Sequence, residues 1–227
     1  MRDLLKFSLL VIGIRVIGIG LQSIIVLLLA RFLLPSDMGV FALCYAVVGL
    51  ARMLGPLGTD QTTMRVVAQD LASGGMDDAS HELLNSSIIL VSAVNVVAAA
   101  LFVVASQLAG SALGDAAADS HWAVLWTALA MPPFAIIGLL TLQLRGFGQQ
   151  VWAQVPDSIL LHVLHGALLL VLWQGGGLTL STSLMALAIS AWLVSGLYVI
   201  SRLRLGVRPL VPKIATYRRL VAEAWNV

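Results

Sequence analysis

The sequence predicts an all-α, polytopic transmembrane helix bundle of six spans. Of the 227 residues, 59% are hydrophobic and 11% charged, about half the charge density of an ordinary soluble domain. Mean hydropathy is +0.98. Six apolar runs approach or exceed the length that a hydrocarbon core of about 30 Å requires, about 20 residues of helix. The predicted spans are 7–30, 38–57, 86–109, 122–142, 158–173 and 181–201.

The first run follows "MRDLLK", which has the charge of a signal-peptide start. The apolar stretch behind it is too long for one and meets "ARFLLPSD" instead of a small-residue cleavage site. It is read as a retained span. Pro35 to Gly39 are read as the reversal into the second run, which holds the lone cysteine, Cys44. With one cysteine no intrachain disulfide can form.

Between runs two and three, "GTDQTTMRVVAQDLASGGMDDASHELLNSS" has helical spacing up to its "SGG" break, which predicts a short surface helix. The fourth run contains Met131-Pro132-Pro133, where proline frees a backbone carbonyl and predicts a kink. The short fifth run carries Ser158, His162 and His165 as one stripe. "QGGGLT" is an uncharged turn into the sixth.

Residues 202–227 read as a basic amphipathic cytoplasmic tail or inter-lobe linker. Arg202, Arg204, Arg208 and Lys213 are placed to meet anionic headgroups, and Ile214, Tyr217, Val221 and Trp225 share one face of an interfacial helix.

Basic residues set the orientation. With the N-terminus inside, the inner segments hold Arg2, Lys6, Arg65, Arg145, Arg202, Arg204, Arg208, Lys213, Arg218 and Arg219, whereas the outer ones hold Arg31. The positive-inside rule then places both termini in the cytoplasm. The outer loop "GSALGDAAADSH" carries acids Asp115 and Asp119 and no Lys or Arg.

The net charge of +2 and pI near 9.0 come from span-end bases, not from a nucleic-acid motif. "HELLN" at His81 has Asn85 where a zinc protease needs its second histidine. "NSS" at Asn85 falls on the inner side, and "GSALG" lies at a span end. No phosphate loop or nucleophile elbow is present, so neither an enzyme, a cofactor nor a metal is expected.

Arginine at a helix centre costs about 2.5 to 3.5 kcal/mol on insertion scales, which singles out Arg15 and Arg52. Either they snorkel to the inner interface, or they face a water-filled cavity and bind an anion through the guanidinium fork. Arg15, Gly18 or Ile19, and Gln22 share one helix face, as do Tyr45, Gly49, Arg52 and Pro56. His162 and His165 are either packing residues or a proton relay or partial metal site. Asn95 is an interhelical hydrogen-bonding residue or a cavity-lining one.

"LLLARFLLPSDMGVFAL" followed by "GLARMLGPLGTDQTTMRVVAQ" resembles the N-terminal signature of lipid-linked oligosaccharide flippases, the polysaccharide-export branch of the multidrug/oligosaccharidyl-lipid/polysaccharide (MATE-like) superfamily. The matching residues are Ala30, Arg31, Pro35, Asp37, Gly39, Gly58, Asp60 and Arg65. "LQLRGFGQQVWAQVPDSILLHVL", with Arg145, Gly146 and Gly148, resembles the family's connection between spans four and five. Leu34 stands where the family commonly has glycine.

The resemblance implies two six-helix lobes around a cleft, of which residues 1–201 supply the N-terminal one. It implies export of a polyprenyl-pyrophosphate-linked glycan, for lipopolysaccharide or a similar polymer, across the inner (plasma) membrane by alternating access. Arg15, Arg52, Gln22 and Asn95 would meet the substrate. Implied partners are membrane lipids, a second lobe or another copy of the chain, and glycan-assembly enzymes, but not nucleic acid. The alternatives are a drug or metabolite cation antiporter, disfavoured because every acid is read at a span end or in a loop, and a truncated lobe that acts as an interaction partner.

Overall fold

The computed structural model describes residues 2–113, 118–210, 216, 217 and 220. The described residues form helices α1 (Arg2–Phe32), α2 (Pro35–Leu54), α3 (Thr59–Ser73), α4 (Asp78–Leu113), α5 (Ala118–Gly146), α6 (Gln150–Val155), a π turn (Pro156–Leu160), α7 (Leu161–Gln174) and α8 (Leu180–Arg204). Among the described residues, six stretches are long and apolar enough to cross a membrane: Ser8–Phe32, Pro35–Leu54, Asp78–Ala109, His121–Gly146, Gln150–Gln174 and Leu180–Arg204. The fold is thus a polytopic α-helical bundle.

α5 and α8 are its centre. In the span windows of α5 and α8, 67% and 56% of residues are buried within the protein, against 17% in those of α1 and α4. Water-exclusion gives little drive between helices in lipid, so close packing must hold them. α8 offers small buried residues, among them Ser183, Ala188, Ala191 and Ser195, while α5 contributes Phe134, Ile137, Leu140 and Leu144. α2, α3 and α4 pack on α5, whereas α1 leans on α6, the π turn and α7.

The first hairpin is tighter than expected. Pro35 opens α2 after an extended Leu34, so the reversal occupies residues 33–34 and not Pro35 to Gly39. Proline suits a helix start because it lacks only an N–H that has no intrahelical partner there. Asp37 in the first turn of α2 and Arg31 in the last turn of α1 complement their helix dipoles. Leu57 and Gly58 turn the chain with φ of 51° and 78°, and Gly74 ends α3 at φ 108°. α3 is no free surface helix: Thr62, Thr63 and Val67 are buried, and a Cβ on Gly146 would lie 2.8 Å from the Met64 carbonyl oxygen and 3.0 Å from the Val67 Cβ.

α5 runs on through Pro132 and Pro133. Pro133 has no N–H for the Leu129 carbonyl, and the Trp192 indole N–H of α8 donates to that oxygen at 3.1 Å. Trp192→Phe keeps an aromatic ring, though a smaller one, and removes the donor. It is expected to lower stability by about 1 kcal/mol, read as a lower thermal midpoint in detergent.

Past α8 the chain folds back on α4. Arg202, expected among headgroups, is 5% exposed, and its Nη2 donates to Asn85 Oδ1 at 2.5 Å. Asn85 Nδ2 in turn donates to the carbonyls of Arg208 and Leu210 at 2.8 and 3.2 Å. Val207 is buried beside Val67 and Leu84. Asn85→Ala removes the acceptor of a buried guanidinium and is expected to cost about 1–3 kcal/mol and to speed proteolysis near residue 208. Lys213, Ile214, Arg218, Arg219, Val221 and Trp225 of the predicted tail helix lie outside the described residues, as does Asp115 of the outer loop.

Candidate functional site: a cationic intramembrane cavity

α1, α2, α6, the π turn and α7 line an open cavity of about 330 Å³, bordered by Arg15, Gly18, Ile19, Gln22, Arg52, Gln154, Asp157, Ser158 and His162, of which Arg15 and Ile19 are exposed. It lies toward the end of the bundle shared by the start of α1, the end of α2 and the start of α6. Arg15 is about 10 Å of helix into the α1 span at 1.5 Å per residue.

The π turn builds one wall. Pro156 lacks the N–H that the Trp152 carbonyl would use, and the ladder slips so that the Leu161 N–H bonds Pro156, five residues back. The Ala153 carbonyl accepts from the buried Tyr198 hydroxyl of α8 at 2.5 Å. α1 comes close at Gly18, where an added Cβ would lie 2.5 Å from the Ser158 carbonyl oxygen. Gly18 is therefore what lets Arg15 and Gln22 border the same space as the π turn.

Arg52 of α2 bonds and ion-pairs with Asp157 through Nη2 and Oδ2, their side chains being 36% and 8% exposed. Oδ1 of Asp157 is buried and has no hydrogen-bond partner among the described residues. Arg145 Nη2 donates to Gln154 Oε1 at 2.9 Å, and Gln154 Nε2 donates to Ser158 Oγ at 2.8 Å. Arg145 thus stands one hydrogen bond behind the wall. Gln22 Nε2 donates to the Tyr45 hydroxyl at 3.2 Å, tying α1 to α2. Two guanidiniums against one carboxylate leave the lining with an excess of positive charge, an arrangement suited to an anion with several acceptor oxygens.

Of the sequence-predicted site residues, Arg15, Gln22 and Arg52 line this cavity together. Asn95 does not: it is 1% exposed and donates to the Val91 carbonyl of its own helix at 2.8 Å. His162 lines the cavity, while His165 is 2% exposed and packs against α8, 3.3 Å from the Ser183 carbonyl oxygen. No group of three or more metal-ligating side chains occurs among the described residues. The turn residues Arg31, Pro35, Asp37, Gly39, Gly58, Asp60 and Arg65 lie elsewhere, at helix ends or on α3. Gly146 packs on α3.

Asp157 and Gln154 were missed. The hydropathy pattern starts span five at 158 and leaves Asp157 in a loop, whereas the span runs from Gln150 and contains it. The repeat of Gln154, Ser158 and His162 at intervals of four carries the helix backward through Pro156 and could have revealed both.

The family model for polysaccharide biosynthesis proteins matches residues 4–227. The chain belongs to that family. No curated protein and no solved structure matches it. The matched region includes every residue of the cavity.

Proposed function

We propose that this protein is a transporter that carries a polyprenyl-pyrophosphate-linked oligosaccharide across the inner membrane by alternating access, without chemistry of its own. The observation that carries the reading is the pair Arg15 and Arg52 on one intramembrane cavity. A charged group inside a span is expensive and points to function, and planar guanidiniums match phosphate oxygens. Gln22 would meet the first sugar or its water.

Both termini lie in the cytoplasm in this reading, so the cavity opens nearer the face where the glycan is assembled. A second six-helix lobe, or another copy of the chain, covers the open side, and glycan-assembly enzymes deliver the substrate. The test is binding by the purified full chain in nanodiscs. A short-chain prenyl-pyrophosphate sugar is expected to bind and an uncharged glycolipid of the same sugar not to. Equal binding of both would refute the assignment.

The cation-antiporter alternative gains one feature, because Asp157 is an intramembrane carboxylate. Its pairing with Arg52 leaves the lining cationic, which favours the anionic substrate. Binding of a lipophilic cation that is lost in Asp157→Asn would reverse that preference.

A further inference from the structure

The carboxylate that contacts Arg52 is only half satisfied. Asp157 sits inside the Gln150–Gln174 span and is 93% buried, its exposure being 7%. Oδ2 is held by Arg52 while Oδ1 has no partner among the described residues. A buried carboxylate in hydrocarbon surroundings is normally paired and fully hydrogen-bonded. Here it neutralises one of the two guanidiniums that the pyrophosphate would need.

We propose that Asp157 is the resident counter-ion of the anion site: the substrate's phosphates take Arg52 from it, and the released carboxylate captures one monovalent cation. The inference rests on the pyrophosphate reading of the cavity and adds to it a coupled cation at a named residue. Once the guanidinium turns to phosphate, Asp157 faces a second anion with its bare Oδ1 and its freed Oδ2. Either a proton or a sodium ion restores neutrality.

The groups around it leave few other sources of positive charge. α1 presents Arg15, α2 presents Tyr45 and Arg52, α7 presents His162, and α8 presents Tyr198. On α5, Arg145 is committed to Gln154. Arg15 and Arg52 belong to the phosphates in the occupied state. By linkage the coupling is reciprocal: a cation that favours the occupied state raises affinity for the anion by the same factor that the anion raises affinity for the cation.

The experiment is calorimetry of the full chain in nanodiscs. The probe is a short-chain prenyl-pyrophosphate sugar, whose phosphates are both esterified and bind no protons near neutral pH. Titrations at one pH in buffers of different ionisation enthalpy count protons, and exchange of sodium for choline tests sodium. Wild type is expected to take up one proton per probe bound, or else to lose affinity about tenfold when a tenfold excess of sodium over its site affinity is removed.

Asp157→Asn is expected to bind the probe about fivefold to tenfold tighter, the amount a partly exposed ion pair of about 1 kcal/mol would restore, and to lose the cation dependence. In an Arg52→Gln background the buried Asp157 has lost its partner and already carries its cation, so Asp157→Asn is expected to change affinity less than about twofold. Binding by wild type with neither proton uptake nor sodium dependence overturns the inference and leaves the cavity reading intact. Weaker binding by Asp157→Asn than by wild type does the same. The wild-type titrations decide the matter even if that variant does not fold. Failure of the probe to bind wild type at all overturns both the reading and the inference.

Discussion

Replacing Arg52 by alanine is expected to abolish the proposed export of a lipid-linked glycan and to destabilise the fold, and the two effects are separable. In the proposed reading Arg52 offers a guanidinium to the substrate, and in the fold it partners Asp157, which is 7% exposed. Removing one member of a buried pair leaves the other uncompensated, a loss of several kcal/mol when burial is complete and less here, because the Arg52 side chain is 36% exposed. A drop of about 1–2 kcal/mol in stability is therefore expected.

Arg52→Gln with Asp157→Asn removes both charges and should return the thermal midpoint to near wild type while export stays absent. Arg15→Ala, which breaks no ion pair among the described residues, should lower export about tenfold to a hundredfold, the loss of one charge-assisted contact, at nearly wild-type stability. Lysine at position 52 should restore only part of the activity, since an ammonium lacks the planar fork. The checks are thermal unfolding and quantified surface glycan in an export-deficient strain that depends on this protein. Full export by Arg52→Ala would remove Arg52 from the substrate site.

Gly18→Leu is the second large effect. Even a Cβ at this position would lie 2.5 Å from the Ser158 carbonyl oxygen and 2.8 Å from its Cβ, so backbone must move. Overpacking of this kind costs about 1–3 kcal/mol for small additions, and leucine adds three carbons more. α1 would be pushed from the π turn, carrying Arg15 and Gln22 away from Arg52. The expected outcome is loss of probe binding and a lower thermal midpoint. At Gly20, two residues on, an added Cβ meets nothing within 4 Å. Gly20→Ala should be neutral, or slightly stabilising because alanine favours helix, and serves as the control for helix propensity.

Much of the bundle was legible because lipid imposes a simple condition: backbone groups must be satisfied within helices, and helices must be long and apolar. The stripe of Arg15 and Gln22 and the stripe of Tyr45 and Arg52 were readable for a related reason. Polar side chains on a span must face protein or water, so the face they share marks the interior. Both stripes do meet, and Gln22 bonds Tyr45 across the gap.

The fifth span was misread because a hydropathy pattern penalises Gln154, Asp157 and the proline between them, and these are the residues of the site. What overrides the pattern is tertiary: Tyr198 takes the Ala153 carbonyl, and Arg52 takes Asp157. Neither partner is near in sequence. Arg202 was misplaced for the same reason. A basic residue beside a span end usually faces headgroups, and its burial depends on Asn85, 117 positions away. Asn95 was a polar residue in a span with a local solution, its own helix carbonyl, which periodicity does not distinguish from a cavity face.

The central claim is that Arg15 and Arg52 together receive a pyrophosphate. Its most direct test is equilibrium binding of a short-chain prenyl-pyrophosphate sugar to the full chain in nanodiscs, comparing wild type with Arg15→Ala, with Arg52→Gln/Asp157→Asn, and with all three substitutions combined. The account predicts loss of at least about tenfold with either guanidinium absent and undetectable binding with both absent, while thermal unfolding shows the variants folded. Undiminished binding by the triple variant would contradict it.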